Sequence, residues 1–232
     1  FTMLEWYRVQ APLQHLMADC AALLALAART CQVSTLRFRD READPFLPPE
    51  RLSVQEAFQK LAGIDVLATT PDGNPDREAL ARQMQKAGLR FAEDDQWSDL
   101  FSRVMVEKIE PCLGLGRATI LHSYPLHEAA LARPDPHHPL VAERFELYVC
   151  GVELANGFGE LTDPVEQRAR FEQDMELKQQ IYGEAYPIDE DFLQALAFMP
   201  PSSGIALGFD RLVMLALGAP RIDDVLWTPL PR

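Results

Sequence analysis

The 232-residue sequence contains no long hydrophobic run and few cysteines. No segment approaches the roughly 20 consecutive apolar residues that a membrane-spanning helix needs. The four cysteines, Cys20, Cys31, Cys112 and Cys150, are scattered, without a C-x-x-C pair or a histidine at zinc-ligand spacing. We therefore expect a soluble cytoplasmic protein with reduced thiols, and neither a membrane protein nor a disulfide-stapled domain.

Basic residues are also scarce, because 22 Lys and Arg stand against 35 Asp and Glu, for a formal net charge of −13. A field of this sign repels phosphate backbones unless basic side chains cluster locally, so extensive binding of nucleic acid, tRNA included, is not expected. The length and a hydrophobic content of 47% suit one globular domain. The chain begins at Phe1, inside a predicted strand, so we expect it to be the later part of a longer protein.

The order of the predicted elements indicates an α+β fold. Residue type and alternation predict strands at residues 1–8, 117–124, 145–152, 153–158 and 204–208. Apolar periodicity and capping residues predict helices at residues 12–31, from 53, 76–87, 97–110, 163–182, from 189 and 211–218, and a short tail follows. Proline-rich polar runs predict loops at residues 39–50, 69–76 and 132–139. Since the strands lie far apart with helices grouped between them, we expect an antiparallel sheet flanked by helices.

The segment GIALGFDRLVMLALG near the C-terminus is the most informative. Alternation leaves one face of its strand nearly bare, with only Gly204, Ala206 and Gly208, and a flat ligand can lie against such a face. Asp210 is expected at the N-cap of a helix that Arg211 begins, where free N–H groups and a guanidinium attract phosphate. A small-residue strand packed under a helix, with the arginine in a salt bridge, is the alternative interpretation.

A second candidate site contains Glu153, Asn156 and Glu160, placed around an Asn156–Gly157 pair that is expected to bend the chain. Two carboxylates and an amide suit Mg²⁺, which prefers oxygen ligands, and they also suit an ammonium group. An acidic surface hairpin is the alternative. The apolar residues between them favour a half-buried segment, where an unpaired carboxylate is costly.

A third candidate site contains Glu5 and Tyr7, a carboxylate and a phenol that share one face of the first strand. A surface pair on an edge strand is the alternative. His137 and His138 lie in a proline-rich loop without a third ligand nearby, so no metal site is predicted there.

These three segments, in this order, resemble the catalytic core of the class II aminoacyl-tRNA synthetases. FTMLEWYR resembles the end of the second signature motif, ELANGFGELTD the acidic segment of lysyl-type members, and GIALGFDR the third signature motif. Within that superfamily the chain is similar to the elongation factor P lysine ligases, which are paralogues of lysyl-tRNA synthetase. The resemblance implies the C-terminal part of one catalytic domain over residues 1–232, with motif 2 ending at 1–8, a helical insertion at about 40–115 and motif 3 at 204–218.

The resemblance also implies a reaction and roles for residues. ATP and a lysine-type amino acid would give an aminoacyl-adenylate, and a lysine side chain of elongation factor P would then accept the amino acid. Arg211 would be the catalytic residue that holds the γ-phosphate, and Gly208 would let the nucleotide approach. Glu153, Leu154 and Asn156 would frame the sites for ATP and Mg²⁺.

Further residues would bind the amino acid. The resemblance implies that Glu160, Tyr7 and Glu5 fix the substrate amine. The oxygen ligands of the second candidate site further assign Mg²⁺ to Glu153 and Glu160. Ala206 stands where lysyl-tRNA synthetases have glycine, and its methyl group would shift the substrate backbone in favour of (R)-β-lysine.

The family further implies a homodimer, with the first motif and the motif 2 arginine expected before Phe1. Two other functions stay open at this point. The chain could be the catalytic part of a lysyl-tRNA synthetase, or a non-catalytic paralogue that keeps a nucleotide pocket.

Overall fold

The computed structural model describes residues 1–184 and 186–228. The strands are β1 (Met3–Val9), β2 (Leu36–Phe38), β3 (Arg41–Asp44), β4 (Glu50–Ser53), β5 (Gly116–Arg117), β6 (Thr119–Pro125), β7 (Val141–Val149), β8 (Val152–Gly159) and β9 (Ser202–Gly208). The α-helices are α1 (Leu13–Thr30), α2 (Val54–Ala57), α3 (Arg77–Lys86), α4 (Trp97–Val104), α5 (Pro164–Tyr182), α6 (Glu190–Leu196) and α7 (Phe209–Leu217). The end of the predicted tail, residues 229–232, lies outside the described residues.

The main sheet has six strands within the described part of the chain, in the order β1–β9–β8–β7–β6–β4. Its neighbours pair antiparallel, except for β4 and β6, which pair in parallel. A smaller sheet has the order β2–β3–β5. The prediction of an α+β fold with an antiparallel sheet flanked by helices is confirmed.

Two hydrophobic cores cover different parts of the main sheet. In the first, α1 and α7 pack against side chains of β7, β8 and β9, Leu16, Leu24, Leu207 and Leu215 among them. In the second, helical segments between residues 54 and 113 pack against β6 and β7, through Phe58, Trp97, Phe101 and Tyr148 among others. A predominantly helical segment therefore follows β4 and extends to Cys112, whereas the first part of the insertion expected at about 40–115 contains β3 and β4.

The predicted helix caps at Ser53 and Asp163 are present, and in both the side chain caps its own helix. Ser53 and Glu56 form the predicted capping box of α2. Asp163 caps α5, which has Pro164 at its first position and ends at Tyr182. Asp210 is different, because Gly208 occupies the N-cap position of α7, so the prediction for Asp210 is wrong. The buried Asp210 carboxylate instead accepts the Thr2 N–H at 2.6 Å, which ties the start of β1 to α7.

Two predictions about turns and loops are also corrected. The segment 39–50 is not only a loop, because β3 lies within it and β4 begins at its end. Strand β3 pairs with β2 and with β5, which is distant in the sequence. This pairing outweighs the low strand propensity of its charged residues. The Asn156–Gly157 pair does not bend the chain, since it lies inside β8, where the ring of Phe145 fills the space of the missing Gly157 side chain. The predicted turn at Cys150 and Gly151 is present, and both residues have positive φ.

No helix within residues 1–184 and 186–228 is long and apolar enough to cross a membrane.

Gly114 joins the helical insertion to the main sheet and provides a test of this packing. Gly114 and Gly63 both have φ of +69°, but a Cβ at Gly114 would lie 2.7 Å from backbone atoms of Tyr148 and Val149, whereas Gly63 faces open space. Gly63→Ala should lower the free energy of unfolding by about 1 kcal/mol through backbone strain alone. Gly114→Ala should lower it by about 3 kcal/mol, because strand β7 must also move. Urea denaturation of both variants checks this, and equal losses would contradict the packing.

Candidate functional site

The bare face of β9 is bordered by the candidate residues of the two neighbouring strands. In the antiparallel register, Glu5 of β1 and Asn156 of β8 both pair with Ala206, and Tyr7 pairs with Gly204. Paired residues point to the same face of a sheet. The structure therefore brings the three segments that the sequence singled out onto one surface.

A β-bulge in β8 places Glu153 on this surface. Leu147 pairs with Ala155 and Tyr148 with Glu153, so Leu154 is an extra residue in β8. In a regular strand, Glu153 and Asn156 would point to opposite faces because they are three residues apart, and the bulge directs both to the same face. The Leu154 side chain itself is buried in the first core, so only its backbone can contact a ligand on this surface.

Glu160 and Tyr7 form an anionic pocket at one end of the surface. A Cβ at Gly204 would collide with the Glu160 carboxylate and would lie 2.5 Å from the Tyr7 ring, so both side chains lie over this glycine. Burial raises the pKa of Glu160 to about 7, although Arg133 lowers it in part. The pKa of Tyr7 is also raised, by burial first and then by Glu160 and Glu5. A desolvated carboxylate beside a phenol oxygen is suited to an ammonium group.

Arg211 lies at the other end, beside Glu153. Its Nη1 donates to the Glu153 carbonyl at 2.6 Å and lies 3.9 Å from the Glu153 Oε2. The Arg211 stem crosses Gly208, where an added Cβ would lie 3.4 Å from Cδ. The side chain is 46% exposed, so its guanidinium can still reach a ligand. Gly208, Arg211 and Glu153 are thus brought together in a small cationic corner of the surface.

Glu146 is a further carboxylate that the sequence analysis missed. It is buried on β7, and its carboxylate accepts the hydroxyl groups of Tyr124 at 2.6 Å and Tyr148 at 2.7 Å and the Nη2 of Arg144 at 2.7 Å. Burial raises the pKa of Glu153, and the charge of Glu146 raises it further. One signal was present in the sequence, because a glutamate inside the apolar run FELYV is costly to bury without partners.

The predicted pair of metal ligands does not meet. Glu153 and Glu160 are seven residues apart along the extended β8 and its continuation, roughly 20 Å at about 3.3 Å per residue, so they cannot bind the same ion. The nearer partner of Glu153 is Glu146, and carboxylate oxygens of this kind fit Mg²⁺. In the described ranges, no group of three or more His, Cys, Asp or Glu side chains is placed to hold a metal ion.

Comparisons with known proteins point to one family. The family model for class II tRNA synthetases (D, K and N) matches residues 1–232. The elongation factor P–(R)-β-lysine ligase of Proteus mirabilis is 41% identical over 235 residues, which cover 100% of this chain and 66% of that protein. The ligase of the same name from Salmonella arizonae is 41% identical over 227 residues, which cover 97% of this chain and 64% of that protein. The chain thus spans about two thirds of the length of these relatives.

Proposed function

Since this chain belongs to the class II tRNA synthetase family (D, K and N), we propose that it activates a lysine-type amino acid with ATP and transfers it to elongation factor P. The observation that carries this proposal is the surface over β9, with an anionic pocket at Glu160 and Tyr7 and a cationic corner at Arg211. A substrate with an ammonium group at one end and a carboxylate that reacts with a triphosphate at the other matches both ends. The names of the two ligases supply the acceptor protein.

The length of the surface supports a lysine-type substrate. The Glu160 carboxylate lies over Gly204, and Asn156 lies beside Ala206, two residues further along β9. Two residues of a strand span about 6.6 Å. This distance is similar to the extent of an extended lysine-type chain from its amine to its carboxylate, so the reacting carboxylate would lie between Asn156 and the cationic corner.

The proposed reaction has two steps. A carboxylate oxygen of the amino acid attacks the α-phosphorus of ATP, and the bond to the β-phosphate oxygen breaks, with its electron pair leaving on pyrophosphate. Arg211 would neutralise the charge that develops on this leaving group. Bound at Glu153 and Glu146, Mg²⁺ would supply further neutralisation. The lysine amine of the acceptor then attacks the carbonyl carbon of the adenylate, AMP leaves with the electron pair of its bond to that carbon, and the amine loses a proton.

Ala206 is proposed to select (R)-β-lysine over α-lysine. Its methyl group lies between Glu5 and Asn156 in the pairing register, on the floor under the substrate backbone. Ala206→Gly should move the ratio of kcat/KM for (R)-β-lysine and α-lysine towards α-lysine by roughly 10-fold to 100-fold, since one methyl group discriminates by about 1–3 kcal/mol. Ala216→Gly, a change of the same size inside the first core, is the matched control and should leave the ratio unchanged. An identical ratio for Ala206→Gly and the wild type would contradict the role of this residue.

Three other features of the protein are part of the same proposal. The net charge of −13 favours a protein acceptor over tRNA. A cytoplasmic location would supply both ATP and elongation factor P, and a homodimer would follow the family.

Amino-acid-dependent exchange of pyrophosphate into ATP tests the proposed function. The protein is assayed with (R)-β-lysine, α-lysine and the other standard amino acids, and a clear preference for (R)-β-lysine is expected. A preference for α-lysine would favour a lysyl-tRNA synthetase instead. Absence of exchange with every amino acid would favour a non-catalytic paralogue.

A further inference from the structure

Arg144 lies beside the candidate site, on the face of the sheet that carries Glu146 and Asn156, and contacts several residues of the site at once. Its Nη2 donates to Glu146 Oε1 at 2.7 Å, its Nη1 donates to the Glu128 carbonyl, and its Nε donates to Asn156 Oδ1 at 3.4 Å. The guanidinium also covers the Tyr124 ring, 4.3 Å from its centroid. The side chain is only 18% exposed. Arg144 is therefore held in one orientation by groups on four sides.

This arrangement fixes the direction of the Asn156 amide. A guanidinium has donors and no acceptor, so the amide atom that faces Arg144 must be the oxygen. An ionised carboxylate has acceptors and no donor, so the atom that faces Glu146 at 3.5 Å must be the nitrogen. Both neighbours therefore select the same one of the two amide orientations. One N–H of Asn156 is left over, on the surface that Asn156 shares with Ala206.

We propose that Arg144 is a positioning residue, which turns the Asn156 amide so that its free N–H donates to an anionic oxygen of the bound substrates. This inference rests on the proposed function, because it assumes that an amino-acid carboxylate and an ATP α-phosphate meet at this place. Both are oxygen anions, and Asn156 can donate to either of them. The flipped amide would direct its carbonyl oxygen at the same anion and repel it. Arg144 thus sets the sign of the interaction at a residue that carries no charge.

Arg144 also balances the charge of Glu146, and the two roles need different variants to separate them. Arg144→Lys keeps a positive charge near Glu146, but a single ammonium group does not reproduce the planar fork that reaches Glu146, Glu128 and Asn156 together. If charge balance alone matters, Arg144→Lys should bind both ligands as tightly as the wild type does. If the direction of the Asn156 amide matters, Arg144→Lys should bind one of the ligands more weakly.

A double-mutant cycle between Arg144→Lys and Asn156→Ala tests the proposal, with dissociation constants for (R)-β-lysine and for ATP measured by calorimetry. In the presence of Asn156, Arg144→Lys should weaken one of the two ligands by about 10-fold, because a hydrogen bond to a charged group is lost. Weaker binding of (R)-β-lysine would show that the Asn156 amide donates to the amino-acid carboxylate, and weaker binding of ATP would show that it donates to the α-phosphate. In the Asn156→Ala background the same substitution should change either constant by less than about twofold, since no amide is left to orient.

Arg77→Lys is the matched control, because Arg77 is also a largely buried arginine that donates to backbone carbonyls, those of Ala92, Glu93 and Asp95, and it lies on α3, outside the site. It should lower the melting temperature without changing either dissociation constant. Equal losses from Arg144→Lys with and without Asn156, or no loss in either background, would overturn the proposal. Pyrophosphate exchange is measured separately, so a protein that binds both ligands without exchange contradicts the proposed function and not the role of Arg144.

Discussion

Arg211→Ala should lower amino-acid-dependent pyrophosphate exchange at least 100-fold while the fold stays intact. This change corresponds to a loss of about 3 kcal/mol or more of transition-state stabilisation. The guanidinium is held against the Glu153 carbonyl and the aliphatic stem of Arg211 lies across Gly208, so the cation is fixed in place before the pyrophosphate charge develops. A cation fixed in advance needs no reorganisation during the reaction, which is why its removal should act mainly on kcat. The measurement is exchange at saturating ATP and amino acid, together with the melting temperature.

Arg221→Ala provides the matched control for this variant. Arg221 follows α7, is exposed and pairs with Asp223 at 3.0 Å, so its loss removes the same side chain from a surface outside the site. Its exchange activity should equal that of the wild type. Wild-type exchange in Arg211→Ala would remove Arg211 from the mechanism.

The KM for the amino acid should rise roughly tenfold as the pH falls from 8 to 6, because the pKa of Glu160 is raised to about 7. About nine tenths of this carboxylate is ionised at pH 8 and about one tenth at pH 6, whereas a side-chain ammonium stays charged throughout. Only the ionised carboxylate attracts the ammonium, so binding is strong above the pKa and is lost below it. The KM for ATP, measured over the same pH range, should change little.

Glu160→Gln should raise the KM for the amino acid at pH 8 by at least about 30-fold and abolish its pH dependence, since the ammonium is left without its buried charged partner. Glu172→Gln removes an exposed carboxylate from α5 and should leave the KM for the amino acid and its pH dependence unchanged. If the pH dependence persists in Glu160→Gln, another group titrates, and the assignment of the amine to this pocket is wrong.

The parts of the fold that the sequence predicted well depend on local physics. The helix from Leu13 to Thr30 follows from apolar periodicity, and the caps at Ser53 and Asp163 act within one turn of their own helices. Strand β3 could not be predicted from its composition, because its partners come from before and after it in the chain. The position of Asp210 was missed for a similar reason, since its hydrogen-bond partner Thr2 is 208 residues away.

The candidate site shows the same division between local and distant information. The bare face formed by Gly204, Ala206 and Gly208 could be predicted, because alternation within one strand depends only on sequence order. The clustering of Arg144 and Glu146 beside Asn156 could not be predicted, because it depends on strand register, which spacing in the sequence does not give. The separation of Glu153 from Glu160 was missed for another reason, because a bend was expected at Asn156–Gly157, where strand β8 continues.

The bulge at Leu154 makes β8 unequally sensitive to changes in its length. Deleting Leu154 would leave Glu153 and Asn156 two residues apart, so regular alternation would keep both on the same face of the sheet. Asn156 and Glu160 are four residues apart in a regularly paired stretch, so a deletion between them would turn one of the two towards the opposite face. A single-residue deletion is therefore compatible with the candidate site on one side of Asn156 and incompatible with it on the other.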